Sequence, residues 1–165
     1  NENIYQGKFV TVEECEKIKE ASHLLEAERK ALSLLSYRPH SRKSLTMKLV
    51  QRGVDKNSIN TVLDKLEYLN YLNDEEFART WVQGRIQQHP EGIMKLLGGL
   101  YKQGIDRSLA REIVAELVPE EKEIELAQKV CDILQNHGKP IEKIASTLKS
   151  RGFPYKVIRK VIDIE

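Results

Sequence analysis

Apolar residues recur along this chain at steps of three and four, and the stepping itself repeats. Three glycines mark the repeat: Arg52-Gly53-Val54, Gln103-Gly104-Ile105 and Arg151-Gly152-Phe153. They lie 51 and 48 residues apart. Aligned on them without gaps, the segments share eight apolar columns. Before the glycine these are Ala27/Ala78/Leu126, Ala31/Val82/Val130, Leu35/Ile86/Leu134, Leu45/Leu96/Ile144 and Leu49/Leu100/Leu148. After it come Val54/Ile105/Phe153, Ile59/Ala110/Ile158 and Val62/Ile113/Val161. Such spacing is that of one helical face, and a fixed period of this length marks a repeat architecture.

Each unit therefore reads as three short helices: 22–36, 42–52 and 56–70; 74–88, 91–103 and 107–118; 120–135, 141–151 and 155–163. Gly53, Gly104 and Gly152 fall where the second helix of each unit must close, a place for the left-handed conformation. Pro90, Pro119, Pro140 and Pro154 stand at or near helix starts, where a missing N–H does no harm. Asp55 and Asp106 are placed to cap third helices. Asn73 with Glu76, and Thr11 with Glu14, have capping-box spacing. Residues 1–26 stand outside the repeat: Ile4 to Val10 resembles a strand remnant, and a short helix of about 12–20 follows, with nothing before Ala27 to stop it running on. The expected fold class is all-α, a tandem array of three related three-helix units. The domains are 1–26 as a partly helical N-terminal extension, then repeats at 27–72, 73–118 and 119–165. Each repeat is too small to be very stable alone, so neighbours should bury apolar surface against each other in an extended array.

Composition supports a packed core: 40% of residues are hydrophobic and 32% charged, too apolar for general disorder. The two cysteines, Cys15 and Cys131, show no disulfide pattern and fit a reducing, cytoplasmic setting. No apolar run nears the roughly 20 residues of a membrane span. The chain opens on Asn1 rather than Met, which fits a fragment, and a monomer is expected. Net charge is +2 overall, but its distribution is uneven. Residues 1–26 sum to −3, 27–72 to +5, 73–118 to −1 and 119–165 to +1.

Candidate chemistry is sparse. His23, His40, His89 and His137 have no metal-ligand spacing, and His40, His89 and His137 fall at equivalent inter-helix turns. The acidic run Asp74-Glu75-Glu76 opens a helix, where it offsets the helix dipole. Gly98-Gly99 lies inside a helix and lacks the Lys-Ser/Thr of a phosphate loop. No catalytic residue, metal or cofactor is expected, and an enzyme is the least favoured class. The remaining signal is the basic cluster of the first unit: Arg29, Lys30, Arg38, Arg42, Lys43, Lys48, Arg52 and Lys56. Arg42 and Lys43 at a helix N-terminus oppose its dipole unless an anion or an acidic partner compensates. Only Tyr37 lies nearby in sequence, so base stacking gains little support.

Several stretches resemble the RecX family. Tyr71-Leu72-Asn73-Asp74-Glu75-Glu76-Phe77-Ala78 is similar to the signature joining its first two repeats, with Leu72, Asp74, Phe77 and Ala78 as its characteristic positions. Ala31-Leu32-Ser33-Leu34-Leu35-Ser36-Tyr37-Arg38, followed by Ser41 and Leu45, resembles its opening repeat. The stretches Leu100–Ile105 and Leu148–Phe153 resemble the ends of later repeats. There are departures: Asn70 replaces a usual Gly, Ser44 a usual Glu, and the second unit lacks some basic residues. The resemblance covers about residues 27–164. It implies a tandem three-helix fold and a regulator of the RecA recombinase. Such a protein would bind in the groove of the RecA–DNA filament, inhibit ATP hydrolysis and strand exchange, and so act in DNA repair and recombination. A stand-alone DNA-binding helical module is the alternative.

Overall fold

The computed structural model describes residues 11–162 and, within them, nine α-helices and no strand. They are α1 (Val12–Tyr37), α2 (Arg42–Gln51), α3 (Lys56–Tyr68), α4 (Asp74–Gln88), α5 (Ile93–Gln103), α6 (Arg107–Leu117), α7 (Glu120–Asn136), α8 (Ile141–Ser150) and α9 (Tyr155–Ile162). The suggested strand at Ile4–Val10 lies outside the described residues. The N-terminal helix does run on past Ala27: α1 is unbroken for 26 residues, so the expected domain boundary at residue 26 falls inside a helix. Thr11 and Glu14 form the capping box that starts it.

The three glycines take the left-handed conformation, with φ of 76° at Gly53, 86° at Gly104 and 84° at Gly152. Each makes the same pair of closing bonds. Val54, Ile105 and Phe153 donate to the carbonyls of Leu49, Leu100 and Leu148, at 3.1, 3.1 and 3.2 Å. The glycines donate to Val50, Tyr101 and Lys149. This is the six-to-one, five-to-two closure, which satisfies two of the carbonyls a helix end leaves open. Asn70, at φ 57°, does the same for α3, as a short polar side chain permits. Ser41, Asp55, Asn73 and Asp106 cap α2, α3, α4 and α6 with their side chains.

The chain divides into two compact units between Leu72 and Asn73. In the first, Ala27, Ala31, Leu45, Leu49, Ile59, Leu63, Leu66 and Leu72 form the core. The second contains two repeats on one shared core, running from Ala78 and Val82 through Leu96, Leu100 and Ile113 to Leu126, Val130, Ile144, Leu148 and Ile158. Five of the eight columns are buried in all three repeats, and the Leu35/Ile86/Leu134 column is half-buried throughout. The expectation that neighbouring repeats bury surface together holds for the second and third. Their junction is made by backbone: Gly92 donates to the carbonyl of Arg151 at 2.9 Å, and Met94 to that of Gly152 at 3.2 Å.

The Gly98-Gly99 pair finds a partial explanation here. Trp81 of α4 packs its ring against Gly99, where any Cβ would overlap it. Nothing lies within 4 Å of where a Cβ on Gly98 would stand, and its presence has no packing reason.

Candidate anion-binding interface of the first unit

The eight basic residues singled out in sequence do not form one cluster. The ten residues of α2 span about 15 Å and separate them into two groups. Arg38 and Lys43 lie at its start; Arg52 and Lys56 lie past its end. Lys30, one residue after Arg29 on α1, donates to the carbonyl of Arg52 at 3.1 Å and pairs with Glu26 at 2.7 Å. It therefore ties α1 to the closing turn of α2.

Arg42 is also engaged within the unit. From the first turn of α2 its guanidinium bonds Asp64 at 2.6 Å and Glu67, both on α3. Burial works against its charge, but Asp64 and Glu67 outweigh that and raise its pKa. The compensation required for a cation at a helix N-terminus is thus an internal pair of carboxylates. Arg29, Arg38, Lys43, Lys48, Arg52 and Lys56 have no ion pair among the described residues, and all but half-buried Lys48 are exposed.

His40 stands in the turn that leads into α2. It is buried, with Nδ1 3.2 Å from Ser44 Oγ. Burial lowers its pKa, and the charges of Arg38 and Lys48 lower it further. A neutral imidazole therefore lies within reach of two cations without ion pairs, Arg38 and Lys48. Ser41, fully buried, accepts from the N–H of Ser44 at 3.1 Å and closes the start of α2. Its position in the alignment is that of Gly92 in the second repeat.

Sequence spacing missed the aromatic side chains of this region. Tyr68 ends α3, next to the Glu67 that Arg42 holds. Tyr71 follows in the turn that Asn70 makes, with its N–H on the carbonyl of Leu66. Only the Arg42 bridge to α3 reveals that they share an end of the unit with Tyr37. His89 and His137, at the turns equivalent to that of His40, are exposed. Among the described residues no group of three His, Cys, Asp or Glu is placed to hold a metal, and no helix is long and apolar enough to cross a membrane. The joining signature divides its duties: Leu72 is buried in the first core, while Asp74 opens α4 and Phe77 and Ala78 pack into the second.

Two family models match this chain, "RecX, first three-helix domain" over residues 27–66 and "RecX, second three-helix domain" over residues 73–113. Regulatory protein RecX of Clostridioides difficile (strain 630) is 31% identical, the match covering 98% of this chain and 78% of that protein. The chain belongs to the RecX family. The crystal structure of RecX from Lactobacillus salivarius superposes with a TM-score of 0.78 at 25% identity, over 87% of this chain and 96% of that one. A second RecX crystal structure gives a TM-score of 0.85 at 22% identity, over 98% and 83%, and shares the fold. The two RecX models end before α7; the third repeat is established by the shared columns and the common core.

Proposed function

We propose that this chain is a non-enzymatic modulator of RecA that engages the RecA–DNA filament and lowers its ATP hydrolysis and strand exchange. The reading is supported by membership of a family whose relatives carry the name regulatory protein. The observation that carries it to particular residues is that Arg38 and Lys48, close enough to act on buried His40, and exposed Lys43 on the first turn of α2 have no internal ion pair. Cations without internal partners are available to phosphates or carboxylates of a partner. Two compact units on one chain add a second, linked point of contact, and linked weak contacts gain from effective concentration.

The test is the ATPase rate of RecA on single-stranded DNA with and without this protein. Inhibition near stoichiometric ratio is expected, and it should weaken on Arg38→Glu with Lys43→Glu at unchanged helicity. A full-length protein that leaves the rate untouched would sink the proposal. Inhibition unaltered by the double reversal would move the contact away from the first unit.

A further inference from the structure

Two helices of this chain carry an apolar stripe that the fold leaves open. The first lies on the early turns of α1. Leu24 is the first residue of α1 that packs on the core of its unit, and none of residues 12–23 belongs to that core. Ile18, Ala21, Ser22 and Leu25 follow one another at i, i+3, i+4 and i+7, so they share one face of the helix. All four are exposed, Ile18 at 46% and Leu25 at 70%.

The second stripe lies on α5, which is apolar on two sides. Leu96 and Leu100 are fully buried on one. On the other, Met94, Leu97, Gly98 and Tyr101 repeat the same i, i+3, i+4, i+7 spacing. Met94 is 64% exposed and the other three are half-buried. A helix that is apolar on both sides is normally covered on both. Gly98 stands in the middle of the open stripe, and no described residue comes within 4 Å of where its Cβ would stand. Glycine costs about 1 kcal/mol in a helix interior, and what it offers in return is room for another backbone to come close.

The two stripes differ in charge. Residues 12–26 contain five glutamates and two lysines, a net charge of −3. In contrast, α5 has two lysines and no acid, and Arg107 lies at its edge, over the ring of Tyr101 at 5.6 Å. Two α1 stripes would repel each other, whereas α1 and α5 are complementary in charge and alike in spacing. We propose that this chain associates with a second copy of itself, the α1 stripe of one copy lying along the α5 stripe of the next. The small residues Ala21 and Ser22 then meet Gly98, and the two helices approach closely. The surfaces that meet are different, so the contact is heterologous and each copy in a pair keeps one surface free for a further copy. Four residues a side make a small interface, of the size of transient contacts. The monomer expected from the sequence is therefore the dilute form. A head-to-tail row of copies suits a partner that is itself a polymer, such as the filament proposed above, but the contact does not rest on that reading.

The experiment is sedimentation velocity on the whole protein, without RecA or DNA, from about 1 µM to about 1 mM, a range that spans transient affinities. The average mass should rise with concentration past that of a dimer, and fall back at high salt, which screens the charges. Leu25→Gln makes the α1 stripe polar, and Gly98→Gln fills the place of closest approach. Each variant alone should associate more weakly by at least on the order of tenfold. Mixed in equal amounts, the two should form a dimer and stop there, because each keeps the surface that the other lacks. Both positions are open, so helicity should be retained, and Gly98→Gln should raise the urea midpoint through helix propensity. A mass that stays monomeric up to about 1 mM, beyond the range of transient contacts, would overturn the proposal. So would either variant assembling like wild type, which would point to a contact between like surfaces, or a mixture that remains monomeric.

Discussion

Gly92, at the start of α5, and Gly152, at the close of α8, lie backbone against backbone, so that a methyl on Gly92 would overlap the Gly152 carbonyl. The first turn of α5 is capped from the following repeat. The N–H groups of Gly92, Ile93 and Met94 donate to Arg151, the Glu123 carboxylate and Gly152, at 2.9, 2.9 and 3.2 Å. Donors that a helix cannot satisfy for itself thus join two repeats. Gly92→Ala should destabilise the second unit by about 1–3 kcal/mol, the usual cost of overpacking. Urea unfolding followed by Trp81 fluorescence measures it; a wild-type midpoint would contradict the close approach.

The neighbouring glycines of α5 should respond in opposite ways. Gly98 faces open space, so Gly98→Ala should stabilise by about 1 kcal/mol through helix propensity alone. Gly99→Ala places a methyl against the ring of Trp81 and should displace it. Trp81 is the one tryptophan, so its emission reports the change directly. Equal effects of the two substitutions on stability and emission would refute this account.

Arg42 and Lys43 are adjacent and should differ. Arg42→Ala removes the links to Asp64 and Glu67, partly exposed pairs whose loss costs about 1 kcal/mol at most. Lys43→Ala should alter stability by less than about 0.5 kcal/mol. In the RecA ATPase assay, Lys43→Glu should weaken inhibition at unchanged thermal stability. A large loss of stability on Lys43→Ala would show that it has an internal role.

His40 should make the stability of the first unit depend on pH. Its folded pKa lies below the ordinary 6.5, so the unfolded chain takes up a proton more readily. The contribution is present above about pH 6.5 and is lost as pH falls through the depressed folded value. Chemical denaturation of wild type and His40→Gln from neutral pH to about 5 tests this. Wild type should lose stability relative to the variant, by no more than about 1.4 kcal/mol per pH unit for one proton. Parallel curves would mean that His40 titrates as in the unfolded chain.

Much of the helical framework was legible in order along the chain. The columns through Leu45/Leu96/Ile144 and Leu49/Leu100/Leu148 are buried in every repeat, because a helix turns its apolar side inward wherever it packs. Boundaries shifted where caps intervened: α3 stops at Tyr68 because Asn70 turns left-handed, and α5 starts at Ile93 because Gly92 caps it. The site was less legible. Eight basic residues close in sequence suggested one surface, yet Lys30 and Arg42 serve the fold, and the others separate along α2.

The sequence alone determined the repeat, the helices, their closing glycines and the buried columns. These are local properties, set by 3.6-residue periodicity and by which residues accept a left-handed backbone. Only the tertiary structure decided that Arg42 is held by carboxylates 22 and 25 residues away. It likewise decided that Tyr68 shares an end with Tyr37, and that Gly92 meets Gly152. Each depends on how helices pack across long stretches of chain. No window of sequence contains both partners, and the packing of the whole core brings them together.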